Sequence, residues 1–141
     1  MIDPISMSQT LLVLHKGLDS LAIRNEAIAT NLANIDTPGF KRLDVNFQDK
    51  LRVAIDQNQN LSPMTRTNPR HFPIASTDTL SQFQPDVRTV TETTGRNDGN
   101  NVDLDMESAK LAENTAEYNS LADITSRYLS QLRHAISEGK Q

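Results

Sequence analysis

The side chains best suited to chemistry at neutral pH are three histidines, His15, His71 and His134, and they stand far apart in the chain. No two have the short spacing of a metal motif. With no cysteine among 141 residues, a zinc site would need distant carboxylates. The missing cysteines also exclude a disulfide framework and a thiolate nucleophile. Five glycines occur singly, so no glycine-rich loop is present to cradle a phosphate. The stretch Asn97–Asp105 has the Asn, Asp and Gly content of a calcium loop. Setting Gly99 at the sixth position puts Thr94 and Arg96 at the first and third, with Asp105 in place of the closing glutamate, and the register fails. Asp103 and Asp105 are two residues apart and share no helix face, so they suit helix capping better than paired acid–base work. Lys41, Arg42 and the arginines of the middle segment offer contacts to acidic partners or peptidoglycan. Fourteen basic against eighteen acidic residues, a pI near 5.3 and 4% aromatics speak against nucleic acid. No catalytic residue, cofactor, metal or small-molecule substrate is expected.

The elements that would position any site divide the chain in three. Residues 1–36 carry helix-favouring side chains, with Leu11, Leu14, Leu18, Leu21, Asn25, Ile28, Leu32 and Ile35 spaced alternately three and four apart. That is a heptad seam, the pattern of helices that wrap around partners. Asp3-Pro4 or Ser8 can start the helix, and Thr37-Pro38-Gly39 stops it. Gly17 weakens its interior by roughly 1 kcal/mol relative to alanine. Asn25 on the seam either fixes register or lies at a wet edge. Residues 102–141 hold a second seam of Leu111, Asn114, Tyr118, Leu121, Thr125, Tyr128, Leu132 and Ala135, widened by Ala122, Leu129 and Ile136. Asp103 or Asp105 can cap it, and Gly139 is a stop signal. Between them, residues 37–101 hold five of the six prolines and all four phenylalanines. Leu43, Phe47, Leu51 and Ile55 predict a short helix near 43–56. Arg88–Thr93 alternates weakly as an edge strand would. Residues 57–101 otherwise read as an extended, partly disordered, partner-ordered arm.

The expected fold is therefore mainly α: long N- and C-terminal helices forming a coiled-coil-like inner core, with a middle arm containing a short helix and a possible small β element. Two helices of about 30 residues span about 45 Å each and bury only one narrow seam against each other. Ile5, Met7, Leu12, Ile23 and Leu104 fall off both seams, which suggests burial by further chains. The expected subunit interface comprises Leu11, Leu14, Leu18, Leu21, Ile28, Leu32 and Ile35, facing Leu111, Tyr118, Leu121, Tyr128, Leu132 and Ile136. No run approaches ~18 consecutive apolar residues, so no membrane span is expected. Met1–Pro4 lacks the basic start of a secretory signal, and a cleaved signal peptide is not expected.

The run Asn31-Leu32-Ala33-Asn34-Ile35-Asp36-Thr37-Pro38-Gly39-Phe40-Lys41-Arg42 resembles the N-terminal signature of the bacterial flagellar axial proteins, the family of rod, hook and related subunits. Asn31, Asn34, Thr37, Pro38, Gly39 and Phe40 carry that resemblance. The run Asn101–Glu107, with Asp103 and Asp105, followed by Leu111–Asn114 and Tyr118-Asn119, is similar to the proximal rod branch of the family. The resemblance covers residues 9–56 and 99–137 well and the middle weakly. It implies a non-enzymatic subunit of the basal-body rod that crosses the periplasm. Its terminal helices would form an inner layer around a central channel. The implied partners are copies of itself, other rod subunits, a rod-to-ring adaptor protein, the membrane ring and the flagellar type III export apparatus, which would export it without a cleaved signal.

Two rivals remain at this level. A soluble helical adaptor or export chaperone would have the same helices and never join a filament. A peptidoglycan hydrolase would need a carboxylate pair in a cleft, and no cleft-forming core is legible.

Overall fold

The computed structural model describes residues 4–59, 80–92 and 97–138, with side chains from Gln9 to Gln57 in the first of these stretches. Helix α1 spans Pro4–Ala33, strand β1 Leu43–Asn46, helix α2 Gln48–Gln59, strand β2 Asp86–Thr89 and helix α3 Leu104–Glu138. Helix α1 begins at Pro4, where a fixed φ and a missing N–H cost nothing in a first turn. Helix α3 begins behind Asp103, whose carboxylate Oδ1 accepts the N–H groups of Asp105 (2.9 Å) and Met106 (3.1 Å). The cap is therefore Asp103, and Asp105 and Glu107 occupy the acidic first turn.

Helices α1 and α3 run antiparallel. Asn31 meets Glu107, Arg24 meets Glu117 and Gly17 lies against Leu121, so one number falls as the other rises, and Leu21 meets Asn114 within that span. A Cβ built at Gly17 would stand 2.8 Å from Leu121 Cδ2. The glycine that weakens α1 locally is thus what lets α3 approach.

The core does not lie only in this seam. Leu21 and Ala27 of α1 join Val45, Phe47, Leu51, Ala54, Leu80 and Phe83, and Leu12, Val13, Ile23, Leu43, Ile55 and Leu121 pack around them. Leu80 is 1% exposed. Burial of Leu80 and Phe83 contributes roughly 1.5–3 kcal/mol each, and Lys16 Nζ ties the carbonyl of Phe83 to α1 at 3.1 Å. Leu12 and Ile23, expected to await other chains, are covered by this chain's own middle segment. Ile5 and Met7 lie outside the described side chains, as does the part of the expected arm from 60 to 79, and Gly139 lies outside the described residues.

The short helix begins later than expected. Leu43–Asn46 pairs antiparallel with Asp86–Thr89, with Leu43 opposite Thr89 and Asn46 opposite Asp86. The four-residue spacing of Leu43, Phe47 and Leu51 also fits a strand that turns into a helix at Phe47, and buried Val45 marks the strand. The expected strand 88–93 sits two residues earlier, at 86–89, and Thr93 lies outside the described residues.

Candidate assembly interface

One end of the helix pair is locked by buried asparagines. Helix α1 stops at Ala33, three residues before the expected boundary, because the chain winds into successive turns. Thr37 N–H reaches the Asn34 carbonyl (3.1 Å), and Phe40 N–H reaches that of Thr37 (3.3 Å). The carbonyls of Asn34, Ile35 and Thr37 all converge on Asn100 Nδ2, each at 2.9 Å. One buried amide thus serves three carbonyls of the turns that follow the helix. Asn100 Oδ1 accepts Val102 N–H (2.8 Å), which aims the chain into α3. Gly39, at φ 75°, donates its N–H to the Asp98 carbonyl (2.9 Å), and Gly99, at φ 73°, lies against it. Lys41 Nζ closes this turn on the Gly99 carbonyl.

Asn31 and Asn101 extend the lock to the sheet. Asn31 Nδ2 donates to the Leu43 carbonyl and to Glu107 Oε2, and its Oδ1 accepts Leu43 N–H, all at 2.8 Å. Asn101 Oδ1 accepts Arg42 N–H at 2.6 Å, while its Nδ2 reaches the carbonyls of Val90 (2.7 Å) and Glu92 (3.1 Å). Glu107, fully buried, is balanced by Lys110 (3.1 Å) and Arg42 (3.7 Å). Two turns along α3, Asn114 Nδ2 donates to the Leu21 carbonyl (3.1 Å), and its Oδ1 has no hydrogen-bond partner among the described residues.

Of the motif positions, Asn31 is buried, Asn34 and Phe40 are half-buried, and Thr37, Pro38, Gly39, Asp103 and Asp105 are exposed. The sequence gives no role to Asn100, none to Asn101 beyond its place in a motif, and for Glu107 only that it suits the positive end of the helix dipole. The legible signal was Asn100-Asn101, separated by Val102 alone from a capping aspartate. Asn25 is exposed, the wet-edge alternative, and the polar seam residue that is buried is Asn114.

The expected interface residues fall into two sets. Leu14, Leu21 and Ile28 are buried within the chain, and Leu18, Leu32, Ile35, Leu111, Leu121, Tyr128 and Leu132 are half-buried. Leu11, Tyr118 and Ile136 are exposed, the last at 65%. At 100° per residue, Glu107, Asn114 and Leu121 mark the α3 face turned to α1. Glu113, Ala116, Glu117, Ser120 and Ile124 mark the side towards Phe47 and Leu51. The other flank carries Leu104, Leu111, Tyr118, Leu129 and Ile136, an apolar stripe running the length of α3. Leu11 and Leu18 continue it on α1.

Among the described residues no helix is long and apolar enough to cross a membrane, and no three His, Asp or Glu side chains converge as metal ligands.

Residues 11–41, which include the Asn31–Phe40 turn, match the family model for flagella basal body rod proteins. The flagellar basal body rod protein FlgB of Bacillus subtilis is 32% identical over 94% of this chain and 97% of its own length. The chain belongs to the flagellar basal-body rod protein family. FlgB of Borreliella burgdorferi is 30% identical over 84% of this chain and 88% of its own. FlgB of Escherichia coli K12 is 28% identical over 88% and 90%. As a rod-family member the chain is a structural component of the flagellar basal body and not an enzyme. It assembles there with other rod and basal-body components. The asparagine lock is thus a device for holding a structural element in shape.

Proposed function

We propose that this chain is a subunit of the proximal rod, and that its terminal helices assemble side by side with those of neighbouring subunits. The observation that carries the reading is the apolar stripe of exposed Leu104, Tyr118, Leu129 and Ile136 with half-buried Leu111, beside exposed Leu11 and half-buried Leu18, on a helix pair whose other side is partly covered by its own middle segment. An exposed apolar patch along a whole helix marks an interaction surface. In this reading the assembled helices line the export channel and transmit torque. They connect the membrane ring and export gate, through an adaptor protein, to the distal rod. The chain itself is a substrate of the flagellar type III export apparatus.

The test separates folding from assembly. Tyr118→Asp places a charge on the stripe, and the isolated chain is expected to keep its helix content by circular dichroism. Cells carrying it are expected to lose motility and to yield basal bodies without the subunit. Leu121→Asp puts a carboxylate beside Gly17 at the α1–α3 contact, and is expected to lose both fold and motility. Normal swimming with Tyr118→Asp would remove the stripe from the assembly.

A further inference from the structure

The molecule has a second apolar surface, on the opposite side of α3 from the stripe. A groove of about 580 Å³ runs between α3 and the α1–α2 side, floored by Leu14, Gly17, Leu21, Phe47, Leu51 and Leu121. Its α3 wall carries Glu113, Glu117, Ser120 and Ile124, and Ile124 is half exposed. Glu117 is engaged by Arg24 at 3.1 Å, whereas Glu113 has no ion pair among the described residues. The groove is therefore apolar at its floor and acidic along one wall.

The piece that fits it lies on α3 itself. From Leu104 to Asp123 the helix carries Asp105, Glu107, Glu113, Glu117 and Asp123 against Lys110 alone. From Ile124 to Glu138 it carries Arg127 and Arg133 against Glu138. Leu129, Arg133 and Ile136 follow one another at helical spacing on an exposed face, and Arg133 has no ion pair among the described residues. The end of α3 is thus an apolar ridge with a free guanidinium at its centre, and the groove is an apolar trough with a free carboxylate on its wall.

We propose that the groove receives the C-terminal end of α3 from a second copy of the chain, with Arg133 of one copy set against Glu113 of the other. This rests on the rod-subunit reading and gives one of the self-contacts a location. The two surfaces lie about 15 residues apart on one helix, roughly 22 Å at 1.5 Å per residue, and they are different surfaces. The contact is therefore heterologous, and it propagates from copy to copy instead of closing a two-fold dimer.

The absence of cysteine allows a direct test. Ser120→Cys in the groove wall and Ser137→Cys beside Ile136 leave the apolar and charged groups in place. Cells co-expressing the two single-cysteine chains are used to prepare basal bodies, which are treated with a short bifunctional maleimide. The mixed 120–137 product is expected to dominate over 120–120 and 137–137. Glu113→Arg or Arg133→Glu alone is expected to abolish most of it, and the two reversals, each in one of the co-expressed chains so that they face each other, to restore it. Basal bodies that contain the subunit but give no mixed product, or give mainly 137–137, overturn the groove contact while leaving the rod reading intact. Mixed product that is unaffected by both charge reversals overturns the Arg133–Glu113 pairing. Basal bodies that lack even the unsubstituted chain overturn the rod reading, and this inference falls with it.

Discussion

Asn31 treats Leu43 as a neighbouring strand would, donating to its carbonyl and accepting its N–H, and still reaches Glu107. Its removal takes a partner from three groups at once, the part-buried N–H and carbonyl of Leu43 and the buried Glu107 carboxylate. Because an unsatisfied buried polar group costs about 1–3 kcal/mol, Asn31→Ala is expected to destabilise the chain by roughly 2–4 kcal/mol in urea unfolding. The motif asparagines were visible in the sequence, but this use of them was not. A side chain whose hydrogen-bond partners lie in distant segments of the chain leaves no periodicity for a sequence to display. Asp103 was legible because a cap acts on its own next turn. A smaller effect belongs to Asp86, whose carboxyl is held below its ordinary range by hydrogen bonds from Lys50, first, and Arg88. A depressed folded value contributes stability that is complete above the unfolded value of about 3.9. That contribution is lost as pH falls through the lower folded value. Acid titration followed by amide NMR is expected to show the β1–β2 ladder loosening below pH ~4, and Asp86→Asn to remove that dependence.

Among elements, the two long helices were legible because a three-four spacing of leucines survives any detail of packing. The strand at Leu43–Asn46 was not, since Leu43 and Phe47 satisfy a helical period while belonging to different elements. Leu80 and Phe83 were missed for a related reason: a turn that drops two large side chains into a core has no period at all. The seam itself contains one position that opposes stability. Asn114 is buried with an Oδ1 that has no partner among the described residues, which costs free energy and also makes out-of-register pairings worse. Asn114→Leu is expected to raise the midpoint of unfolding, by about 1 kcal/mol in free energy. It is also expected to allow shifted α1–α3 registers, detectable as extra resonances for Gly17. A lower midpoint would show that the bond to Leu21 outweighs the orphaned oxygen.

For the whole molecule, stability is distributed unevenly along its length. The asparagine lock and the core around Phe47 hold one end, whereas beyond Leu121 no residue of α3 is fully buried. Limited proteolysis of the isolated chain is expected to trim α3 back from its C-terminal end and to spare residues 97–121. Uniform resistance along α3 would mean that the stripe and the ridge need no neighbours. That the chain is not an enzyme was expected from residue types, and its membership of a structural rod family bears this out. The presence of two separate apolar surfaces was not, because it depends on how much of each seam the middle segment covers.

The lock also governs time. Asn100 reaches carbonyls 63 to 66 residues back along the chain, and Glu107 is 76 residues from Asn31. None of these bonds forms until a long loop has closed, and chains dominated by such distant pairings fold slowly. The two helices, built from local bonds, can flicker in and out long before the asparagines meet. Until they meet, a newly made chain has only its local bonds, and its shape becomes permanent only when the two halves of the sequence find each other.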